Sequence, residues 1–317
     1  MIQACTWSAS PLLVVDPHYT NYSDLATQYG TQTVSVSRTL QENGEFSTID
    51  PEAIRAKVKA TGATAVVVIP YDNPSGQFIP QEALEAIAQV CVEENVWMVS
   101  DEAYRGLQYT EEGISSIWGI TEDDVEGITG RRISIESASK LFNACGLRAG
   151  GLVTDNQLLH QQVVNLATAE LCSPVLGQSA LGALSEVSAE DLRAWIDGQR
   201  EYYNDLLKRT AEGFSSATPG LIVSATQAAI YFVIDFRHID LNFDAAAFAR
   251  FCATTGKVDD IGPNGEAATL LTSPMNGSYM EPGAGATQLR IAGVGSERDM
   301  SIAPEVCNEL LRQYQAA

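Results

Sequence analysis

Along the first half of the chain, short apolar runs alternate with stretches in which apolar residues recur every three or four positions. Leu12-Leu13-Val14-Val15, Thr33-Val34-Ser35-Val36, Ala65-Val66-Val67-Val68-Ile69, Val96-Trp97-Met98-Val99, Ile133-Ser134-Ile135 and Gly151-Leu152-Val153 read as strands. The unbroken β-branched run at 65–69 is the pattern of a parallel strand covered on both faces. Between the runs, Pro51–Thr61 predicts a helix, with proline suited to its first turn and Ile54 and Val58 sharing a face. Residues 81–94 predict another, with Leu84, Ile87, Ala88 and Cys91 on one stripe. Strand and helix in alternation predict an α/β fold, a mostly parallel sheet with helices on both faces.

The character changes near residue 190. Residues 191–214 carry Leu192, Trp195, Ile196, Tyr203, Leu206, Leu207 and Phe214 at helical spacing and read as one long helix. Beyond it come a strand at 229–234, a helix at Ala245–Thr254, a Gly/Pro-rich loop at 262–285, a strand at Gln288–Ala292 and a closing helix to Gln315. This predicts a large domain at 1–189, a connecting helix at 190–214 and a smaller C-terminal α+β domain at 215–317. A chain of 317 residues is long enough for that arrangement.

Ligands of open parallel sheets bind at the carboxyl ends of the strands, so the residues just past each run matter most. Those positions hold Asp16-Pro17-His18-Tyr19-Thr20-Asn21-Tyr22, then Pro70-Tyr71-Asp72-Asn73-Pro74-Ser75-Gly76, then Ser100-Asp101-Glu102-Ala103-Tyr104, then Glu136-Ser137-Ala138-Ser139-Lys140, followed by Gly146-Leu147-Arg148-Ala149-Gly150. Each presents polar groups that a buried sheet does not tolerate without a partner. The net charge of −21 repels phosphate backbones and argues against nucleic-acid binding. No apolar stretch is long enough to span a bilayer, and the first residues carry neither a basic cluster nor a signal-peptide core, which argues against membrane anchoring and secretion. Six cysteines, at 5, 91, 145, 172, 252 and 307, form no C-x-x-C pair and predict reduced thiols in a cytoplasmic setting. His18, His160 and His238 lack the spacing of a zinc site. The chain uses only five lysines, at 57, 59, 140, 208 and 257, so a lysine after a strand of small and apolar residues stands out.

Taken in order, Asn73-Pro74-Ser75-Gly76, Asp101 to Tyr104, Ser137 to Lys140, Gly146 to Gly150 and the strand residue Arg290 resemble the motif series of the pyridoxal-phosphate-dependent aminotransferase class I/II family, fold type I. The resemblance runs from about residue 11 to the end. It implies that Lys140 forms the Schiff base with the cofactor and shuttles a proton, which requires a neutral amine. It implies that Asp101 holds the pyridine nitrogen protonated, that Tyr104 and Asn73 hydrogen-bond the ring oxygen, and that Tyr19 lies against the ring. Ser137, Ser139 and Arg148 are the implied phosphate ligands, with Gly146 and Gly150 allowing close backbone approach. Arg290, with Asn73, is the implied clamp on the substrate carboxylate, and Tyr22 is read as structural.

The resemblance further implies amino acid and 2-oxo acid substrates and a homodimer. Two other readings stay open: a lyase or decarboxylase on the same fold, and a PLP-binding fragment or sensor domain without turnover. Members of the family carry a Gly-rich turn and helix ahead of the first strand, whose N–H groups cradle the phosphate. Thr6-Trp7-Ser8-Ala9-Ser10-Pro11 offers no such helix, so the expectation is a chain lacking that N-terminal region.

Overall fold

Alternate residues of a fully apolar strand enter opposite faces of a sheet, and the computed structural model shows both faces covered. It describes residues 1–6, 10–171, 174–262 and 265–316. Trp7, Ser8 and Ala9 from the N-terminal expectation, Cys172, and positions 263–264 of the Gly/Pro-rich loop lie outside the described residues. The chain forms two compact units: Met1–Arg38 with Thr48–Asp72 and Phe78–Arg200, and Thr39–Ser47 with Asn73–Gln77 and Glu201–Ala317.

The first unit is built on strands β1 (Leu12–Asp16), β2 (Thr33–Ser37), β3 (Ala65–Val68), β4 (Trp97–Asp101), β5 (Arg132–Ser137) and β6 (Gly150–Thr154), in spatial order β2-β1-β3-β4-β5-β6. Leu13, Val15, Val66, Val68 and Met98 pack on helices α3 (Pro51–Thr61) and α4 (Gln81–Glu93) through Ile54, Val58, Leu84, Ile87 and Cys91. Leu12, Val14, Ala65, Val67 and Val99 form the other core, with Ile2 and Cys5 of α1 (Ile2–Cys5), Tyr22 of α2 (Asn21–Gln28) and Leu159 of α5 (Gln157–Glu170). Local chemistry sets the helix ends. Asp50 caps α3 by accepting from Glu52 N at 2.9 Å, Pro51 occupies the first turn, and Gly62 leaves the helix at φ 69°.

The first five strands are parallel, but β6 runs antiparallel to β5. The β5–β6 connection contains only a short 3₁₀ turn, Cys145–Leu147, and lacks the crossover helix that a parallel return requires. Helices α2, α5 and α6 (Val175–Gly182) fall where the apolar pattern alone marks no helix. Most side chains of α5 and α6 face outward, so these helices have no buried stripe to register as periodicity.

Helix α7 (Ala189–Ala217) is longer at both ends than its apolar spacing predicts. The second unit carries an antiparallel sheet of β7 (Ile222–Val223), β8 (Tyr231–Asp235), β9 (Ser273–Pro274) and β10 (Gln288–Ala292), in order β7-β8-β10-β9, with helices α8 (Ala245–Thr254) and α9 (Glu297–Ala316). The Gly/Pro-rich loop therefore contains β9 and a 3₁₀ turn, Asn276–Ser278. Leu40 and Phe46 join the core of this unit with Ile222, Val233 and Met275. Gly76 ties the 73–77 segment to β8. It sits at φ 71°, a Cβ there would lie 2.0 Å from the Tyr231 carbonyl, and its own carbonyl accepts from Gln227 N and Ala228 N at 3.0 and 2.8 Å. Only glycine fits that approach. Among the described residues, no helix is long and apolar enough to cross a membrane.

Candidate active site

Because β1, β3, β4 and β5 are parallel, their carboxyl ends share one edge of the first unit. Asp101 is the last residue of β4. Its Oδ2 accepts from Tyr22 Oη at 2.7 Å and its Oδ1 from Ala103 N at 3.2 Å. Burial pushes this carboxyl above the usual carboxylate range, and the nearby charges of Glu102 and Glu136 push the same way against the two hydrogen bonds. Burial, then the Asp101 charge, raises Tyr22 well above an ordinary phenol, so its hydroxyl stays a donor. Tyr22, read from sequence as structural, is thus the hydrogen-bond partner of Asp101. The available signal was a tyrosine in the first turn of a helix, one turn after Tyr19. Those two rings stand edge to face with centroids 6.2 Å apart.

Lys140 lies in the β5–β6 connection, half-buried, with Nζ 5.6 Å from the centroid of the Tyr104 ring. Tyr104 is buried three residues beyond Asp101. Among the described residues, no carboxylate pairs with Lys140, whereas Lys59 and Lys257 reach Glu94 and Asp259 at 3.2 and 3.0 Å. Ser137 Oγ accepts from Ser139 N at 3.1 Å at the head of the same connection. Arg148 sits in the left-handed region at φ 52°, exposed, with Nη1 donating to the Cys145 carbonyl at 2.9 Å. Gly150 closes the connection, since a Cβ there would stand 2.6 Å from the Glu136 carbonyl. Glu136, next to Ser137, would oppose an anion on its own. Arg105 pairs with it through Nη2 at 2.8 Å and also with the fully buried Glu102, one cation shared by two carboxylates. Ser137, at the end of β5, and Ser139 and Arg148, in the connection, are side chains of the kind that donate to a phosphate. Asp101, Tyr104 and Lys140 suit the ring and aldehyde of the cofactor that the resemblance implies.

Asn73 and Arg290 belong to the second unit. Arg290 Nη1 donates to Asn73 Oδ1 at 3.0 Å, Nη2 donates to Ser273 Oγ at 3.3 Å, and the guanidinium lies 4.6 Å over the Tyr231 ring. Its Nε is buried without a hydrogen-bond partner, and among the described residues no carboxylate pairs with it. The guanidinium is thus held by neutral groups, with one buried donor unmet. Ser273 and Tyr231, which hold it, carry no motif and were not singled out in the sequence.

Comparison with known proteins shows the family and the fold. A family model described as aminotransferase class I and II matches residues 1–258. The chain is 27% identical over 237 residues to an aspartate/prephenate aminotransferase of Thermus thermophilus, covering 74% of this chain and 57% of that protein. It is 26% identical over 250 residues to an arginine–pyruvate transaminase of Pseudomonas aeruginosa, covering 78% of this chain and 59% of that protein. The fold is similar to that of N-succinyldiaminopimelate aminotransferase from Mycobacterium tuberculosis, with a TM-score of 0.78 at 22% identity, covering 98% of this chain and 73% of that one. The chain therefore spans somewhat over half the length of the curated relatives it matches.

Proposed function

This chain belongs to the aminotransferase class I and II family, and from that premise we propose that it moves an amino group between an α-amino acid and a 2-oxo acid with pyridoxal phosphate bound at Lys140. The observation that carries this reading is the arrangement within one unit of Lys140 against Tyr104 and of Tyr22 on Asp101. Bound, the cofactor supplies an electron sink for the charge that develops at the substrate Cα.

The chain's own residues supply the rest. Lys140 Nζ would hold the cofactor aldehyde, and its amine is the group that would carry the proton to and from the substrate Cα. Asp101 keeps a proton on the ring nitrogen, and Tyr22 steadies the ionised carboxylate from behind. Tyr104 would donate to the ring oxygen, Tyr19 would pack on the ring, and Asn73 is assigned to the ring oxygen by resemblance alone. Ser137, Ser139 and Arg148 hold the phosphate. Arg290, with Asn73, grips the substrate carboxylate, which orients the Cα–H bond for removal. The reading includes a homodimer in the cytoplasm. Supporting the homodimer, Leu158, Leu171, Val175 and Leu176 expose large apolar side chains on and beside α5 and α6.

The test is an absorption spectrum with pyridoxal phosphate, followed by a screen of amino donors against 2-oxoglutarate. A visible band that is lost as the donor's 2-oxo acid appears supports amino transfer. Release of carbon dioxide or of a cleaved side chain instead favours a decarboxylase or lyase, and binding without turnover by any donor favours a sensor.

Two substitutions probe named contacts. Arg290→Ala is expected to raise KM for the amino donor roughly tenfold to a hundredfold, the loss of a charged hydrogen-bonded pair, while cofactor affinity holds; loss of the cofactor instead assigns Arg290 a structural role. Tyr22→Phe removes the one side-chain bond that stabilises the Asp101 charge. The Asp101 pKa then rises further, so the acid limb of the pH–rate profile is expected to move to higher pH, with turnover down roughly tenfold.

A further inference from the structure

The turn between β1 and α2 holds a buried polar chain that the chemistry above does not use, all of it inside the first unit. His18 is 2% exposed and Asp16 is fully buried. His18 Nδ1 lies 2.8 Å from Asp16 Oδ1, and Nε2 lies 2.6 Å from Ser23 Oγ. A carboxylate only accepts, so Nδ1 carries the hydrogen that points at Asp16. Asp16 Oδ2 accepts in turn from Ser35 Oγ at 2.6 Å and Ser37 Oγ at 3.2 Å, both on β2. The chain thus runs from β2, through the end of β1, across the imidazole, to the first turn of α2. Tyr19 and Tyr22 hang from the segment it spans, and Tyr22 continues to Asp101.

The order Ser23–His18–Asp16 is also that of an acyl-transfer triad. His18 opens only on a cavity of about 10 Å³, lined by Arg38 and Asp72 as well as by Val14, Val67 and Ile69, with room for a water and no substrate. An imidazole with both nitrogens bonded and no solvent access is a rigid strut. Backbone bonds alone do not fix side-chain orientation in a turn, and a strut across it does.

We propose that His18 is a positioning residue: by bracing β1 against α2 it fixes the Tyr19 ring and the Tyr22 hydroxyl, and through Tyr22 it sets the aim of the Asp101 carboxylate. The proposal rests on the reading of Asp101 as the partner of the cofactor nitrogen.

Two variants cut the brace at different points. Ser23→Ala removes one end and leaves the imidazole on Asp16, and His18→Asn keeps a donor toward Asp16 without the reach to Ser23. The first readout needs no cofactor: the ¹³Cζ resonance of Tyr22 in the full chain, assigned with Tyr22→Phe and followed through alkaline pH. In the parent protein it stays un-ionised while exposed tyrosines titrate. In both variants it is expected to shift and to ionise nearer the exposed tyrosines. The second readout is the loaded protein, where cofactor Kd is expected to rise and kcat to fall, each roughly tenfold, with KM for the amino donor unchanged. A Tyr22 resonance identical to the parent's in Ser23→Ala, with only a lower melting temperature, overturns the proposal and leaves His18 a core residue. Should the parent chain fail to bind pyridoxal phosphate, the functional reading fails, and the tyrosine titration still judges the brace.

Discussion

Lys140→Ala is expected to leave a protein that gains no cofactor mass after incubation with pyridoxal phosphate and borohydride, with turnover lower by roughly a hundredfold to ten-thousandfold, the range of a lost acid–base group. The expectation follows from where the amine sits. Lys140 is held in the connection after β5 with its Nζ over the Tyr104 ring, and no carboxylate of the described residues claims it. Lys59 and Lys257, by contrast, are exposed and spend their charge on Glu94 and Asp259. A reagent that merely decorates accessible amines marks those lysines and is unaffected by a change at 140. Lys140→Arg separates covalent from electrostatic roles, because it keeps a cation for the Tyr104 face and cannot form the bond. Peptide mapping of the reduced adduct decides the matter. An adduct on any other lysine, or an undiminished mass gain in either variant, removes the foundation of the assignment.

The parallel part of the first unit was legible because burial on two faces writes an unbroken apolar run. Leu13 and Leu12 face different cores, so both alternations along β1 begin on apolar residues. Helix α3 was legible through Pro51 and its Ile54/Val58 stripe. Helices α5 and α6 were not, since apolar residues such as Leu158 and Leu176 point outward and break the period. The reversal of β6 leaves no mark in composition; it follows from the length and content of the connection before it.

Motif order supplied the candidate site residues. The bonds between them were not, because they join distant positions. Tyr22 and Asp101 are 79 residues apart, and Asn73 and Arg290 are 217 apart. Periodicity reports which side of an element is buried and is silent on which loop it meets. The assignment of 39–47 and 73–77 to the second unit is hidden for the same reason, since Gly76 earns its place by meeting Tyr231 far along the chain.

Asp101→Asn is expected to lower kcat on the order of a thousandfold, the scale of losing one preorganised electrostatic partner, and at neutral pH to raise the melting temperature of the protein without added cofactor. The two effects have one cause. Asparagine keeps the size, and its one oxygen can still accept from Ala103 N while its amide nitrogen donates to Tyr22 Oη, but it brings no negative charge to the ring nitrogen. The parent carboxylate brings that charge into a site that resists it, because burial, with Glu102 and Glu136 adding to it, raises its pKa in the folded chain. A carboxyl raised in this way contributes stability that is fully present below its unfolded pKa and is lost as pH rises through the folded value. At neutral pH the parent bears that loss and the asparagine variant does not. The difference in melting temperature is therefore expected to shrink as pH falls and to vanish below the ordinary carboxylate range. An Asp101 held mainly as structural cement gives the opposite signs: a lower melting temperature on substitution and turnover that follows stability. If the variant is both less stable at neutral pH and nearly as active, Asp101 is a cap on the turn after β4, and the ring nitrogen must find its partner elsewhere.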